Sequence, residues 1–333
     1  MPLRRSLPAG LLLALLLLTA CTSAPEDPGP APAGGGPFPV TVEHAYGSTT
    51  IPAAPTRVVA LGVSDADPLL ALGVTPVGLS AFSSYEQTGG LGPWARDRVQ
   101  GEPPVVLTGD PNPERIASLR PDLIVAVSAG LDQPTYDVLS RIAPVVARPA
   151  GTIAFGVPLA EQTRTIATAL GRAEEGEQLV AQAEAAFAQA RAEHPEFAGR
   201  TGTAVLPFDG RYGAFTDADA RGRFMTSLGF TLPAGVAEIE TGGSFYAELS
   251  SERLGVLDGD VLVMLADQPA LRAAVDADPV LQQVPVVADG RMVITDADTT
   301  GAMSYNTVLS VPYALERLVP QLSAAVQKAP PGN

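Results

Sequence analysis

One phrase occurs twice in this chain, and it restricts the fold more than any other feature. NPERIASLRPDLIVAV runs from Asn112 to Val127, and SSERLGVLDGDVLVML runs from Ser250 to Leu265, at a constant offset of 138 residues. Glu114-Arg115 recurs as Glu252-Arg253, and Leu119, Asp122 and Val125 recur as Leu257, Asp260 and Val263. Each copy reads as a short helix followed by a continuous apolar run, the pattern of a strand buried on both faces. In the first copy Asn112 caps the helix, Pro113 suits its first position, Glu114 complements the dipole, and Pro121 ends it. Ile116 and Leu119 are expected to face inward. One such unit in each half predicts two α/β lobes.

The flanking sequence follows the same grammar. VTVEHAYGSTTIP reads as two short strands around Gly47, RVVAL as a buried strand, DADPLLALG as a helix stopped at Gly73, and TPVGLS as a strand. Strand, helix and strand in so short a span favour parallel pairing. QPTYDVLSRIA and PVVA supply a further helix and strand. From Pro158 to His194 the pattern becomes wholly helical: PLAEQTRTIATALGR, then RAEEGEQLVAQAEAAFAQARAEH. In the second of these, Leu179, Val180, Ala183, Ala186, Phe187 and Ala190 form one apolar stripe. About 21 residues at 1.5 Å each span ~31 Å, enough to bridge two lobes. Alternation then restarts with TAVLPF, RGRFMTSLGF, SSERLGVL and DVLVML. PALRAAVDADPVLQQ, VPVVADGRMVIT and a final helix over YNTVLSVPYALERLVPQL complete it.

The N-terminus is a different material. Arg4 and Arg5, the apolar run Leu11 to Leu18 and the small pair Thr19-Ala20 describe a secretory signal peptide, residues 1–20. Leu18-Thr19-Ala20-Cys21 resembles a bacterial lipobox, and Cys21, the one cysteine of the chain, is the expected lipidation site. Residues 21–37, rich in Pro, Gly and Ala, form an extended tether. About 290 residues remain, more than one core usually holds. Removing the leader's two arginines takes the net charge from -15 to -17. Such a surface repels nucleic acid and anionic lipid.

VTVEHAYGSTTIPAAPTRVVAL, LLALGVTPVGLSAF, NPERIASLRPDLIVA, YDVLSRIAPVV, IATALGR, HPEFAGR and SSERLGVLDGDVLV occur in that order and span nearly all of the chain beyond the tether. In these phrases the chain resembles the periplasmic-binding-protein family that serves iron-siderophore and vitamin B12 importers of the ABC class. EHAYGSTTIP, SRIAPVV and HPEFAG are similar to its ferric-siderophore branch. The resemblance implies an α/β fold of two lobes with mostly parallel sheets joined by one long α-helix, and little hinge closure. The layout is an N-terminal lobe over 38–172, a linking helix over 173–194 and a C-terminal lobe over 195–329. It implies a monomer outside the cell membrane, or in the periplasm, that holds a ferric siderophore between its lobes. Iron arrives only inside that complex, with no resident cofactor. The partners implied are an ABC permease dimer and the membrane, reached through lipid on Cys21. Glu114 and Glu252 match the positions at which relatives carry one exposed glutamate per lobe for docking on the permease. As bare sequence both are helix-start acids.

Ligand groups are expected on loops at the strand ends that face the other lobe. In the first lobe these loops carry Phe82, Tyr85 and Trp94; in the second, over FDGRYGAFTDADARGR, they carry Arg211, Tyr212, Phe215, Arg221 and Arg223. Phe245 and Tyr246 in GGSFYAE and Tyr305 near the end complete the set. Aromatic rings pack on a siderophore's linker, and arginine hydrogen-bonds the oxygens around iron. The resemblance points especially to Tyr85 and Tyr246. Arg223 has the alternative of capping or pairing at the start of RFMTSL, and Phe224 and Phe230 read as core. Strong acidity favours a neutral or cationic hydroxamate complex over an anionic catecholate.

Metal held directly by protein needs more than the two histidines, His44 and His194, which lie in framework phrases. Heme through Tyr85 or Tyr305, or vitamin B12, is the alternative within the same fold. A rival of another class is an anchored hydrolase. GVSDA, Gly62 to Ala66, approaches the Gly-x-Ser-x-Gly elbow but ends in Ala66, and no histidine follows His194. The sequence therefore reads as a binding protein rather than an enzyme.

Overall fold

The computed structural model describes residues 37–239 and 244–330. The expected leader, Cys21 and all but the last residue of the expected tether lie outside those residues, as do Gly242 and Gly243. The chain begins with an antiparallel hairpin of β1 (Val40–His44) and β2 (Gly47–Ile51). Gly47 closes it at φ +115°, a backbone conformation that side chains disfavour.

The first lobe contains β3 (Val58–Ala60), α1 (Ala66–Ala71), β4 (Gly78–Leu79), β5 (Val105–Val106), α2 (Pro113–Ser118), β6 (Leu123–Ala126), α3 (Gln133–Leu139) and β7 (Val145–Ala147). Its sheet is wholly parallel in the order β5-β4-β3-β6-β7. Then come α4 (Leu159–Ala169) and the long α5 (Ala173–Glu193), 21 residues as the stripe predicts. The second lobe contains β8 (Gly202–Phe208), β9 (Arg211–Phe215), α6 (Ala220–Ser227), α7 (Ala234–Ala237), β10 (Tyr246–Leu249) and β11 (Val261–Met264). It ends with α8 (Pro269–Ala277), α9 (Pro285–Ala288), β12 (Met292–Ile294), α10 (Ala297–Tyr305) and α11 (Ser310–Val326). Its sheet runs β10-β9-β8-β11-β12, with β8, β10, β11 and β12 running one way and β9 alone reversed between β8 and β10.

The repeated phrase has a structural reason. β6 and β11 occupy the fourth place of their sheets, each beside the central strand. The aspartate that opens each of them staples the neighbouring strand. Asp122 accepts from Thr56 N, Thr56 Oγ1 and Arg57 N, all at 2.8 Å. Asp260 accepts from Thr201 N at 2.7 Å, Thr201 Oγ1 at 3.0 Å and Arg200 Nη1 at 2.9 Å. One carboxylate thus satisfies several donors at the start of the central strand in both lobes.

Both sheets are buried on both faces, which is why their strands read as unbroken apolar runs. In the first lobe Val58 and Ala60 enter one core and Val59 and Leu61 the other. In the second, Val261 and Val263 face one core and Leu262 and Met264 the other. The linking helix serves both lobes. Leu179 packs against a first-lobe core, while Phe187 and Ala190 belong to a second-lobe core.

Four expectations need correction. SSERLGVL forms a 3-10 helix over Ser251–Leu257, not an α-helix. It lacks the cap of its twin: Asn112 accepts from Arg115 N, whereas Ser250 makes no side-chain cap bond. The final helix starts later than expected, at Ser310: Tyr305 closes α10, which Asn306 ends at a left-handed φ of +45°. PALRAAVDADPVLQQ breaks after Ala277, where the Asp278 carboxylate accepts from Val280 N and Leu281 N instead of continuing the helix. The expected ligand loop after TAVLPF is a hairpin: Asp209 and Gly210 sit at φ +45° and +71°, and β9 returns antiparallel to β8.

Candidate functional site

The loops that leave the carboxyl ends of β3 and β6 are organised by Asp65, which is fully buried. Its carboxylate accepts from Gly62 N at 3.1 Å, Val127 N at 2.8 Å, Ser128 N at 2.9 Å and Gln162 Nε2 at 2.8 Å. One side chain ties two strand-end loops to α4. Burial pushes its pKa up against those hydrogen bonds, which favour the charged form. Ser64, the serine of the elbow-like GVSDA, accepts from Gln162 at 2.9 Å. Both histidines are engaged elsewhere, His44 with Thr49 and His194 with Glu196.

Opposite stands a wall of aromatic rings and arginine. Alternation along β9 sends Tyr212 and Ala214 into a core and leaves Phe215 on the other face, with Tyr246 edge-on to it and Phe208 edge-on to Tyr246. Asp219 caps α6 by accepting from Arg221 N and grips the Arg221 guanidinium at 2.7 and 2.9 Å. That guanidinium lies 3.5 Å over the Phe215 ring. Arg223 donates to the carbonyls of Asp217 and Ala218, and across to Val157 O at 3.4 Å. Burial lowers its pKa, and its Nε, like Asn306 Oδ1, is buried without a partner among the described residues.

Three neighbouring compartments open along these walls, and the middle one is lined from both. The outer one on the first-lobe side has a volume of about 500 Å³ and is bordered by Ser80, Asp110, Asp132 and Phe155. The middle one, about 150 Å³, is shared by Ser64, Ser128 and Gln162 with Arg221, Arg223 and Tyr305. The third, about 300 Å³, lies among Phe208, Phe215, Phe245 and Tyr246. Val63 and Phe155 border the first two, and Arg221 and Phe245 the last two, so the compartments form one cleft. Among the described residues no cluster of His, Asp or Glu is arranged to hold a metal ion.

Of the residues singled out in the sequence, Phe82, Phe215, Arg221, Arg223, Phe245, Tyr246 and Tyr305 come together on this cleft. Tyr85, Trp94, Arg211 and Tyr212 are placed elsewhere. Arg211 opens β9 at the exposed end of the hairpin and pairs with Glu248. Tyr212, 4% exposed, is core, and its hydroxyl donates to Asp278 Oδ2 at 2.8 Å. Tyr85 and Trp94 form the seam that joins the lobes. Tyr85 Oη donates to Ala297 O at 3.3 Å, and Gly301 leaves room for that hydroxyl, since a Cβ there would lie 1.9 Å from it. Trp94 Nε1 donates to Asp67 Oδ2 at 2.7 Å, and Thr307 Oγ1 donates to the same oxygen from the second lobe. Burial raises the Asp67 pKa to about 6. Glu114 and Glu252 are exposed, each in the first turn of its helix.

Phe155, unremarked in the sequence, stands 53% exposed between two compartments at φ +61°. A bulky residue held there costs roughly 1–3 kcal/mol, a strain that concentrates at ligand sites. The signal was an apolar triplet, Ile153 to Phe155, between Gly151 and Gly156. Asp65 and Asp219 carry no motif of their own in the sequence; each lies in a loop beside residues with a stronger signal.

Residues 58–299 match the family model described as periplasmic binding protein. The chain belongs to that family. Among curated proteins it is similar to the Fe(3+)-citrate-binding protein YfmC of Bacillus subtilis, 28% identical over 292 residues, covering 87% of this chain and 88% of that one. Among solved structures it is similar to a periplasmic solute binding protein from Mycobacterium smegmatis, with 32% identity, a TM-score of 0.77, and coverage of 86% and 98%. Streptococcus pneumoniae PiaA in complex with ferrichrome gives 27%, a TM-score of 0.75, and coverage of 87% and 100%.

Proposed function

We propose that this chain is the substrate-binding protein of an ABC importer, and that it captures a ferric siderophore of the hydroxamate class in the interlobe cleft. The observation that carries this reading is the cleft itself. Its three joined compartments suit one bulky complex rather than a metal ion, and they offer aromatic faces and arginine donors to the ligand's oxygens. Relatives whose names give ferric citrate, and a neighbour solved with ferrichrome, support the iron-chelate class. Charge supports the neutral hydroxamate: the compartments are bordered by two arginines and three aspartates, Asp110, Asp132 and Asp219. No bond is made or broken; Ser64 is held by Gln162 as part of the wall.

Delivery runs through Glu114 and Glu252, one exposed carboxylate on each lobe, meeting basic residues of two permease subunits. Lipid on Cys21 and the tether hold the body at the outer face of the membrane. Glu114→Ala combined with Glu252→Ala abolishes ligand-dependent iron uptake by cells while purified protein keeps its affinity. Uptake that survives the pair leaves both residues as helix-start acids and removes the docking claim.

A further inference from the structure

Arg221 and Arg223 stand two residues apart on α6, yet their guanidinium groups are held differently. Arg223 is held by carbonyl oxygens. Arg221 is held by a carboxylate: Asp219 takes its Nε and Nη2 in a side-on fork, and the pair is largely withdrawn from water, with side-chain exposures of 17% and 4%. The Phe215 ring covers one face of the guanidinium. What Arg221 presents to the cleft is therefore a flat donor group whose charge is already matched. The first-lobe compartment adds Asp110 and Asp132 and no basic residue.

We infer that Asp219 sets the charge of the complex this cleft accepts, a specificity role that rests on the iron-chelate reading above. With Asp219 in place, Arg221 hydrogen-bonds and stacks on a neutral chelate without calling for a counter-charge. Without it, a guanidinium withdrawn from water has no anion, and an anionic ligand is the group that satisfies it. The same wall would then select carboxylated or catecholate complexes over neutral ones. Asp219 acts through Arg221 as a positioning residue; its own carboxylate is turned to the guanidinium and to the Arg221 N–H.

The test compares two ligands with one chelate and one ring: ferrichrome, which is neutral, and a ferrichrome derivative bearing carboxylates on its acyl arms. Affinities are measured for the wild type, for Asp219→Asn, and for Asp219→Asn combined with Arg221→Gln. Asparagine keeps the helix cap; should that variant fail to fold, Asp219→Ser keeps a capping hydroxyl and replaces it. The expected result is a shift of at least tenfold in relative affinity toward the carboxylated ligand in Asp219→Asn, erased when Arg221 is also changed. An unchanged ratio, or a shift that persists without Arg221, overturns the role of Asp219 and leaves the binding function standing. Failure of the wild type to bind either complex overturns this inference, whereas the iron-chelate reading falls only if no ferric complex of any class binds.

Discussion

On the first-lobe wall of the cleft, Asp65 gathers backbone N–H groups and Gln162 into a fixed polar surface. On the second-lobe wall, Arg221 lies on Phe215 in the grip of Asp219, with Phe245 and Tyr246 beside it. The two walls rise from equivalent sheets, stapled at equivalent aspartates, yet one presents small polar groups and the other aromatic and cationic ones. The difference originates in topology. The first lobe's sheet is wholly parallel, whereas in the second, also of five strands, β9 runs against its neighbours β8 and β10, and β9 and β10 carry Phe215 and Tyr246. The repeated element frames both lobes; the reversed β9 and its neighbour β10 carry the aromatic side of the cleft.

Three perturbations sharpen this comparison. The largest effect is expected at the seam between the walls, where Asp67 is shared by Trp94 and Thr307. Its folded pKa, raised by burial to about 6 from 3.8, means that neutral Asp67 favours the fold. Stability is therefore greatest in acid and falls as pH rises from the unfolded to the folded value, by about 3 kcal/mol for this group. Asp67→Asn shrinks the stability difference between about pH 4 and pH 7 by that order, read by urea unfolding at each pH. The comparison with wild type isolates Asp67 from Asp65, whose pKa burial also raises. An unaltered pH dependence would show that burial of Asp67 does not set the pH dependence of stability.

Next in size, Arg221→Ala weakens siderophore binding tenfold or more, about 1.4 kcal/mol, because a desolvated charge-assisted donor is lost. Arg211→Ala, in the same lobe but on the exposed end of the hairpin, leaves affinity unchanged. Equal losses from both would erase the distinction between wall and periphery. Smallest, Tyr246→Ala weakens binding several-fold through lost ring contact, on the order of 1 kcal/mol. Titration of the purified variant checks it, and unchanged affinity would remove the third compartment from the site.

The frame was legible in the sequence because it rests on local rules. Asn112 and Pro113 start a helix, apolar runs mark strands buried twice, and the stripe from Leu179 to Ala190 gives the linking helix its length and its contacts with both lobes. Lobe-to-lobe relations were less legible. Tyr85 and Trp94 sit in loops without periodicity, and only the approach of Ala297 and Thr307 from the other lobe makes them seam rather than wall. Arg211 and Tyr212 were misplaced for a different reason. Asp209-Gly210 is a hairpin signal, and the strict alternation that follows sends Tyr212 into the core and Phe215 to the cleft. Phe155 was marked in sequence only by its place in an apolar triplet between Gly151 and Gly156; its positive φ shows only in the fold.

The most direct test of the central claim uses the single tryptophan. Trp94 lies outside the compartments, but its ring centroid is 5.3 Å from that of Tyr305, which borders the middle one. A ferric complex seated in the cleft is therefore reported by quenching of Trp94 emission. Purified protein lacking leader and tether is titrated with ferric hydroxamates, ferric catecholates, ferric citrate, heme and vitamin B12. The account predicts saturable quenching at submicromolar concentration by a ferric hydroxamate. Saturation by heme or vitamin B12 alone, with no response to any ferric siderophore, would contradict it.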